Sequence, residues 1–210
     1  MKRRLIVTSA IFTLFFAIVF GVLHFTNKDA KNVRESVLRF HIVANSDSDI
    51  DQQNKLAVRD GVAQLCSELF YGADTKQDAI ASANINAYQI EQKAQQILLE
   101  NGSDDSVKMQ VTKRFFPTRH YEGVSLPAGV YDTVDITIGE GNGKNFWCVM
   151  FPDICVGAAT DVSNKEKLSD VLNDGALSLT TDDTPSVRFR FKLVELYESI
   201  KNFVGYIHFG

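Results

Sequence analysis

Cysteine and histidine are scarce in this sequence, and their scarcity argues against a zinc site. The 210 residues contain three cysteines and four histidines, and their spacing does not match that of zinc ligands. The Gly-x-Ser-x-Gly motif of serine hydrolases is also missing. Cys148 with His120 is a candidate pair for nucleophilic chemistry, but Cys148 lies in the apolar run 146–151, where burial makes a thiol unreactive. We therefore expect no catalytic residue, metal or cofactor.

Two short segments resemble ligand-binding loops but lack required residues. Asp47 opens the sequence DSDID, with acids at the first, third and fifth positions of a calcium loop. Gln52 and Val58 occupy the positions that need glycine and glutamate, so a helix start capped by Ser48 or Asp49 is the better prediction. Residues 139–145, GEGNGKN, lack the first glycine and the final Ser or Thr of a nucleotide-binding loop, and they predict a hairpin turn.

Positive charge is outnumbered by negative charge outside the first few residues. All 26 Asp and Glu follow residue 25, together with 19 of the 22 Lys and Arg, which gives that part a formal charge of −7. Nucleic-acid binding requires clustered cations that replace counterions. We therefore expect no nucleic-acid partner for this chain.

The first 25 residues carry the features of a membrane-targeting segment. Lys2, Arg3 and Arg4 precede the apolar run 5–25, which at about 1.5 Å per residue spans a bilayer core of about 30 Å. This length favours an uncleaved anchor, and a cleaved signal peptide is the alternative, although no convincing cleavage site follows. In both cases the basic end stays in the cytoplasm and the remainder is exported.

Hydrophobic periodicity predicts an α+β protein: an N-terminal transmembrane or signal helix (1–25), a linker (26–36) and one domain (37–210). The domain is expected to have a mainly antiparallel sheet and two or three packed helices. Leu38, Phe40 and Ile42 alternate with Arg39 and His41, which predicts a strand whose His41 points toward solvent. Thr133, Asp135 and Thr137 are expected to face outward from the strand at 131–139. The predicted order is a strand near 38–42, helices near 58–69 and 80–98, strands at 107–116, 131–139 and 146–151, a short helix near 165–172, and a strand at 187–191 followed by a helix.

The cysteines on the exported side allow one disulfide. Cys148 and Cys155 flank the sequence CVMFPDIC, whose proline and aspartate allow the chain to fold back and bring the thiols together. Two separately buried thiols are the alternative, and an exported location permits either state. Cys66 lies on the apolar side of a helix and is predicted to belong to the core.

Three ordered blocks carry a family resemblance. They are LRFHIVANSDSDIDQQNKLAVRDGV (38–62), FPTRHYEGVSLPAGVYDTVDITIGEGNGKNFWCVMFPDIC (116–155) and VRFRFKLVELYESI (187–200). Together they resemble the stage II sporulation protein R family of endospore-forming bacteria. His120 departs from this pattern, at a place where a small or hydroxylated residue is expected. The first block matches the family pattern at Arg39, Ala44, Asn45, Ser46, Asp47, Asp51, Gln52, Lys55, Val58, Arg59 and Asp60.

The resemblance implies a signal rather than an enzyme. Such proteins are made in the forespore, exported into the space between the two compartments, and activate a membrane-bound aspartic protease that processes the sigma-E precursor in the mother cell. The expected partners are this protease and, through the N-terminal segment, the membrane, without a small-molecule substrate. The alternatives are a secreted or membrane-anchored hydrolase in the intermembrane space and a structural engulfment protein.

Polar residues that the fold does not need are the candidates for partner binding. Each is alternatively a surface salt bridge or a hydrogen-bonded turn residue, and Asp47, Asp51 and Gln52 are also expected to shape the turn from strand to helix. The candidates are Asp47, Asp51, Gln52, Arg59, Asp60, Arg119 and Tyr121.

Overall fold

The computed structural model describes residues 12–14, 21, 26–121, 123–153, 166–181 and 184–208. The predicted membrane segment, residues 1–25, lies almost entirely outside this set and stays a prediction. Among the described residues, none of the helices has the length and apolar character needed to cross a membrane. The strands are β1 (Leu38–Val43), β2 (Val107–Phe116), β3 (Arg119–Tyr121), β4 (Val124–Leu126), β5 (Gly129–Ile138) and β6 (Asn145–Phe151). The longer helices are α1 (26–36), α2 (Asp49–Leu69), α3 (Lys76–Ile85), α4 (Ala87–Glu100), α5 (Asp174–Thr181) and α6 (Pro185–His208). Residues 166–169 form a further helical turn, within the short helix predicted near 165–172.

A four-stranded sheet in the order β2-β5-β1-β6 forms the centre of the fold. β5 pairs antiparallel with β2 and parallel with β1, and β6 pairs antiparallel with β1. A parallel pair needs a long crossover, which α2, α3, α4 and β2 provide between β1 and β5. The predicted α+β class with a mainly antiparallel sheet is confirmed.

Helices α2, α3 and α4 cover one face of the sheet. At the start of α2, Ser48 Oγ accepts a hydrogen bond from the Asp51 amide at 3.2 Å, which is the predicted cap. The second predicted helix is divided into α3 and α4 at Asn86. The side-chain amide of Asn86 donates to the Ser82 carbonyl at 2.8 Å. Such a local side-chain bond competes with the backbone hydrogen bonds of a continuous helix. The side chains of β1 that are fully buried in the core on this face are Leu38, Phe40 and Ile42.

The opposite face of the sheet is covered as well. α1, the β3–β4 hairpin and α5 pack there around a second buried cluster. The prediction that His41, Thr133 and Asp135 face outward to solvent is therefore wrong, since each is at most 1% exposed. A strand that alternates apolar and polar residues is buried on both faces when a second layer covers its polar side, and the polar groups then need partners.

The C-terminal block is entirely helical. Residues 187–191, predicted as a strand, belong to α6, in which Val187 and Phe191 are buried while Phe189 is 61% exposed. The alternating pattern was ambiguous because Val187 and Phe191 lie four residues apart and fit a helical stripe equally well.

Residues 26–36, predicted as a linker, form helix α1. Ala30 and Val33 are fully buried, so this segment is part of the packed structure. Val33 contributes to the cluster beneath the sheet. Ala30 joins a third cluster with Leu179, Val187, Phe191 and Val194.

Candidate partner-binding site

The connection between β5 and β6 is not the predicted hairpin turn. β1 lies between these two strands in the sheet, so residues 139–144 cross over the end of β1 and dock on residues 44–47. We refer to these two segments as the loop pair. Its backbone hydrogen bonds run from the Asn142 amide to the Asn45 carbonyl at 3.0 Å and from the Gly143 amide to the Ala44 carbonyl at 2.9 Å.

Side chains of the first signature block hold the loop pair together. Asn45 Oδ1 accepts from the Glu140 amide at 3.0 Å, and Asp47 Oδ1 accepts from the Lys144 amide at 2.7 Å. The carboxylate of Asp47 thus accepts a hydrogen bond from the backbone of the other segment of the loop pair. Within the described part of the chain, no group of three His, Cys, Asp or Glu side chains is placed to hold a metal ion.

Asp51, Gln52 and Lys55 support the loop pair from the first turns of α2. Asp51 Oδ2 accepts from Ser46 Oγ at 2.5 Å, and this hydrogen bond holds the pKa of Asp51 below its usual value. Gln52 Nε2 donates to the Ser46 carbonyl at 2.8 Å. Lys55, only 5% exposed, donates to Gln52 Oε1 at 2.6 Å and to the Lys144 carbonyl at 3.0 Å. These bonds fix the shape of the loop pair.

Two arginines cover the aromatic residues at the start of β6. The guanidinium of Arg59 lies 5.1 Å from the centre of the Phe146 ring, and that of Arg119 lies 5.4 Å from the Trp147 ring. Both distances fit cation–π contacts. Arg59 also donates to Asp60 Oδ1 at 2.7 Å, and the Asp60 side chain is 67% exposed. Arg59 and Asp60 thus present charge beside β6.

Tyr121 links the β3–β4 hairpin to the sheet. Its hydroxyl accepts from Arg39 Nη2 at 2.6 Å and donates to the Trp147 carbonyl at 3.4 Å, and burial raises the pKa of Tyr121. Arg39 is fully buried, with its guanidinium 4.1 Å from the Phe116 ring centre and 5.0 Å from that of Tyr131. The hydroxyl of Tyr121 is therefore engaged inside the protein.

A buried polar network lies next to the first residue of β6, and the sequence pattern did not predict it. His41 Nδ1 lies 2.5 Å from Asp135 Oδ1, and His41 Nε2 lies 2.8 Å from Asn145 Oδ1. Arg114 Nη2 donates to Asp135 Oδ2 at 2.5 Å. Asn145 is the first residue of β6, so the network ties β1, β2 and β5 to the end of the loop pair.

Acid is expected to weaken this network because Asp135 must stay ionised. Burial alone raises the pKa of Asp135, but hydrogen bonds from His41 and Arg114 outweigh burial and hold the pKa below its usual value. Such a carboxyl stabilises the fold above its unfolded pKa of about 3.9, and this contribution is lost as the pH falls towards the lower folded pKa.

Urea denaturation of the full chain in mild detergent tests this pH dependence. The loss of unfolding free energy caused by Asp135→Asn should be smaller at about pH 3 than at about pH 7. An equal loss at both pH values would contradict the assigned role of the ionised carboxylate.

The cysteines differ in state. Cys66 is fully buried, which confirms its predicted place in the core, and burial raises its pKa to about 12. Cys148 is disulfide-bonded, so its sulfur is not the free nucleophile that the candidate pair with His120 would need. The candidate partner Cys155 lies outside the described residues, and the Cys148–Cys155 pairing stays a prediction.

The structure brings the seven candidate residues to one region around the start of β6. Asp47, Asp51 and Gln52 support the loop pair. The other four flank the first aromatic residues of the strand: Arg59 and Asp60 on α2, and Arg119 and Tyr121 on β3.

The fold and this region define a class of protein: an α+β domain in which sequence blocks far apart in the chain meet around the first residues of the edge strand β6. Comparison with known proteins gives the family. The model of the family Stage II sporulation protein R matches residues 34–161. The chain is 31% identical over 175 residues to Stage II sporulation protein R of Bacillus subtilis (strain 168), covering 81% of this chain and 77% of that protein. The chain therefore belongs to the stage II sporulation protein R family and has a role in sporulation. No solved structure matches it.

Proposed function

We propose that the chain is an exported signal that activates the membrane-bound aspartic protease processing the sigma-E precursor. It is made in the forespore, its N-terminal segment enters or crosses the membrane, and residues 37–210 act in the space between the two compartments. Membership of the stage II sporulation protein R family, matched over most of the chain, is the observation that carries this proposal.

The geometry around β6 supports a role in recognition. The loop pair is fixed by backbone and side-chain hydrogen bonds, so a partner meets a preformed surface and little ordering entropy is lost on binding. Asp60 and Arg59 supply charge at its border. A domain that binds the active state of the protease more tightly than the inactive state shifts the population towards activity.

Co-expression in a host without sporulation proteins tests this function. The protease, the sigma-E precursor and the full chain are produced together, and precursor cleavage is followed by immunoblot. Cleavage should require both the chain and the catalytic aspartate of the protease. The proposal is wrong if the chain is exported and folded but never stimulates cleavage above the level seen without it.

A further inference from the structure

Helix α6 carries apolar residues on two sides. Val187, Phe191 and Val194 pack against the rest of the protein and are between 2% and 6% exposed. Phe189 and Leu196, in contrast, are 61% and 58% exposed. Single exposed apolar side chains are common on protein surfaces, so these two are informative because they belong to a longer pattern.

The exposed residues lie on a stripe with the spacing of a coiled coil. Its intervals alternate between four and three residues, and this repeat keeps the positions on one side of a helix that winds around another helix. Leu193, which lies between the two exposed residues, is half-buried. Such a stripe is narrower than the apolar face of a helix that only covers a core, so it indicates packing against a second helix. We call these positions the outer stripe: Phe189, Leu193, Leu196, Ile200, Phe203 and Ile207.

The residue types along the outer stripe favour two parallel helices. In the seven-residue repeat of a coiled coil, the apolar positions are called a and d, and β-branched residues at a with leucine at d favour a parallel pair. Two of the three a residues are isoleucine, and the central d residue is leucine. The a positions are Leu193, Ile200 and Ile207, and the d positions are Phe189, Leu196 and Phe203.

The described side chains beside the outer stripe are compatible with pairing of two copies. In parallel helices, the g position of one helix faces an e position of the other. Lys192 takes a g position and Tyr197 the e position that it would face, so a cation meets an aromatic ring, which attracts it. The Lys192 side chain is 82% exposed and lies 3.5 Å from Glu195 in a solvated, weak ion pair. Tyr197 is 45% exposed.

The packing of α6 beside α1 gives two anchored copies the same orientation. Arg190 Nε donates to Thr26 Oγ1 at 3.3 Å, and Arg34 Nη2 lies 3.4 Å from Glu198 Oε1. The two helices therefore run side by side in the same direction. The predicted membrane segment ends where α1 begins, so α6 has the same direction relative to the membrane in every anchored copy. Neighbouring copies thus present their outer stripes in parallel.

We propose that two copies of the chain associate through the outer stripe, as a parallel pair of α6 helices. Short isolated helices are marginal in water, but the buried side chains of α6 already hold this helix against the domain. Pairing therefore does not carry the cost of forming the helix. The parallel orientation rests on the membrane segment of the proposed function, whereas the outer stripe itself does not.

Light scattering after size-exclusion chromatography tests the pair with the full chain in mild detergent, over a series of concentrations. The protein mass should approach twice the 23.4 kDa of one chain. Leu196→Glu should raise the dissociation constant of the pair at least about tenfold, because it would bury a charge between two apolar stripes. The matched control is Leu99→Glu on α4, where the leucine is 60% exposed. This control should leave the dissociation constant within about twofold.

Photo-cross-linking identifies what covers the outer stripe without adding a charge to it. A benzophenone amino acid replaces Phe189, which is 61% exposed, and the full chain is co-expressed with the protease. Illumination should give an adduct with the mass of two chains. An adduct with the protease alone, or with lipid alone, would overturn a second copy as the occupant.

Three further results would overturn the pair: the mass of one chain at every concentration, a pair that Leu196→Glu does not weaken, or equal effects of Leu196→Glu and Leu99→Glu. Urea denaturation checks that both variants are folded, and the adduct from position 189 decides if Leu196→Glu is not. The cleavage assay is separate from these measurements. A chain that pairs through the outer stripe but never stimulates cleavage would refute the proposed function and leave the pair standing. Cleavage stimulated by a chain that never pairs would refute the pair alone.

Discussion

Replacing Asp135 with alanine is expected to lower the free energy of unfolding by about 3–5 kcal/mol, the range for breaking a buried ion pair from one side. The carboxylate is 1% exposed and lies 2.5 Å from both His41 Nδ1 and Arg114 Nη2. Its removal leaves the buried imidazole without this partner and takes away the acceptor of the Arg114 guanidinium. Urea denaturation of the full chain in mild detergent measures the effect.

The matched control is Asp60→Ala. Asp60 also bonds an arginine, but its side chain is 67% exposed, so its loss should change stability by no more than about 0.5 kcal/mol. A double variant that also replaces His41 with leucine should lose less than the sum of the two single variants, because the two residues act as a pair. Equal effects of Asp135→Ala and Asp60→Ala would show that the network does not stabilise the fold.

Gly143→Ala is expected to deform the loop pair. A methyl group at this position would lie 2.3 Å from the Ser46 carbonyl oxygen, a backbone atom that cannot move aside. We expect a loss of about 1–3 kcal/mol in stability, as for other overpacked sites. If the loop pair is part of the surface that the protease recognises, precursor cleavage should fall about tenfold, which corresponds to about 1.4 kcal/mol of binding free energy.

Gly61→Ala provides the control for this variant. Its methyl group would also lie 2.3 Å from another atom, but that atom is Ile97 Cδ1 at the end of a flexible side chain. Alanine is also favoured over glycine within a helix by about 0.8–1 kcal/mol. Stability and cleavage should therefore stay near the wild-type values. Normal cleavage by a folded Gly143→Ala chain would remove the loop pair from the recognition surface.

Local sequence patterns predicted the strands and helices of this fold better than they predicted which faces of the sheet are buried. The alternation of Leu38, Phe40 and Ile42 identified β1, and Ser48 marked the start of α2. His41 and Asp135 were assigned to solvent because alternation shows which residues share a face but not whether another layer covers it. That layer comes from α1, which was predicted as a linker, from α5, which is distant in sequence, and from the β3–β4 hairpin, which was not predicted.

The candidate site was predictable as a set of residues but not as a geometry. The first block singled out Asp47, Asp51 and Gln52, whereas the contacts that join this block to residues 139–144, such as that of Asp47 with the Lys144 amide, span almost 100 positions of the chain. Predicting those contacts requires the strand order β5-β1-β6, and a glycine-rich segment between two strands normally indicates a hairpin. The geometry of the candidate site therefore depends on long-range strand pairing, which local sequence patterns do not predict.

Site-specific cross-linking tests most directly whether the region around β6 contacts the protease. A benzophenone amino acid is placed at position 60, where the side chain is 67% exposed, or at position 88, where it is 75% exposed. Position 88 lies in the first turn of α4. The other end of α4 is the end near the loop pair, because the side chain of Asn101 there donates a hydrogen bond to Asn54 Oδ1. When the chain and the protease are co-expressed, illumination should cross-link the chain to the protease from position 60 and not from position 88. An adduct formed from position 88 alone would contradict the account.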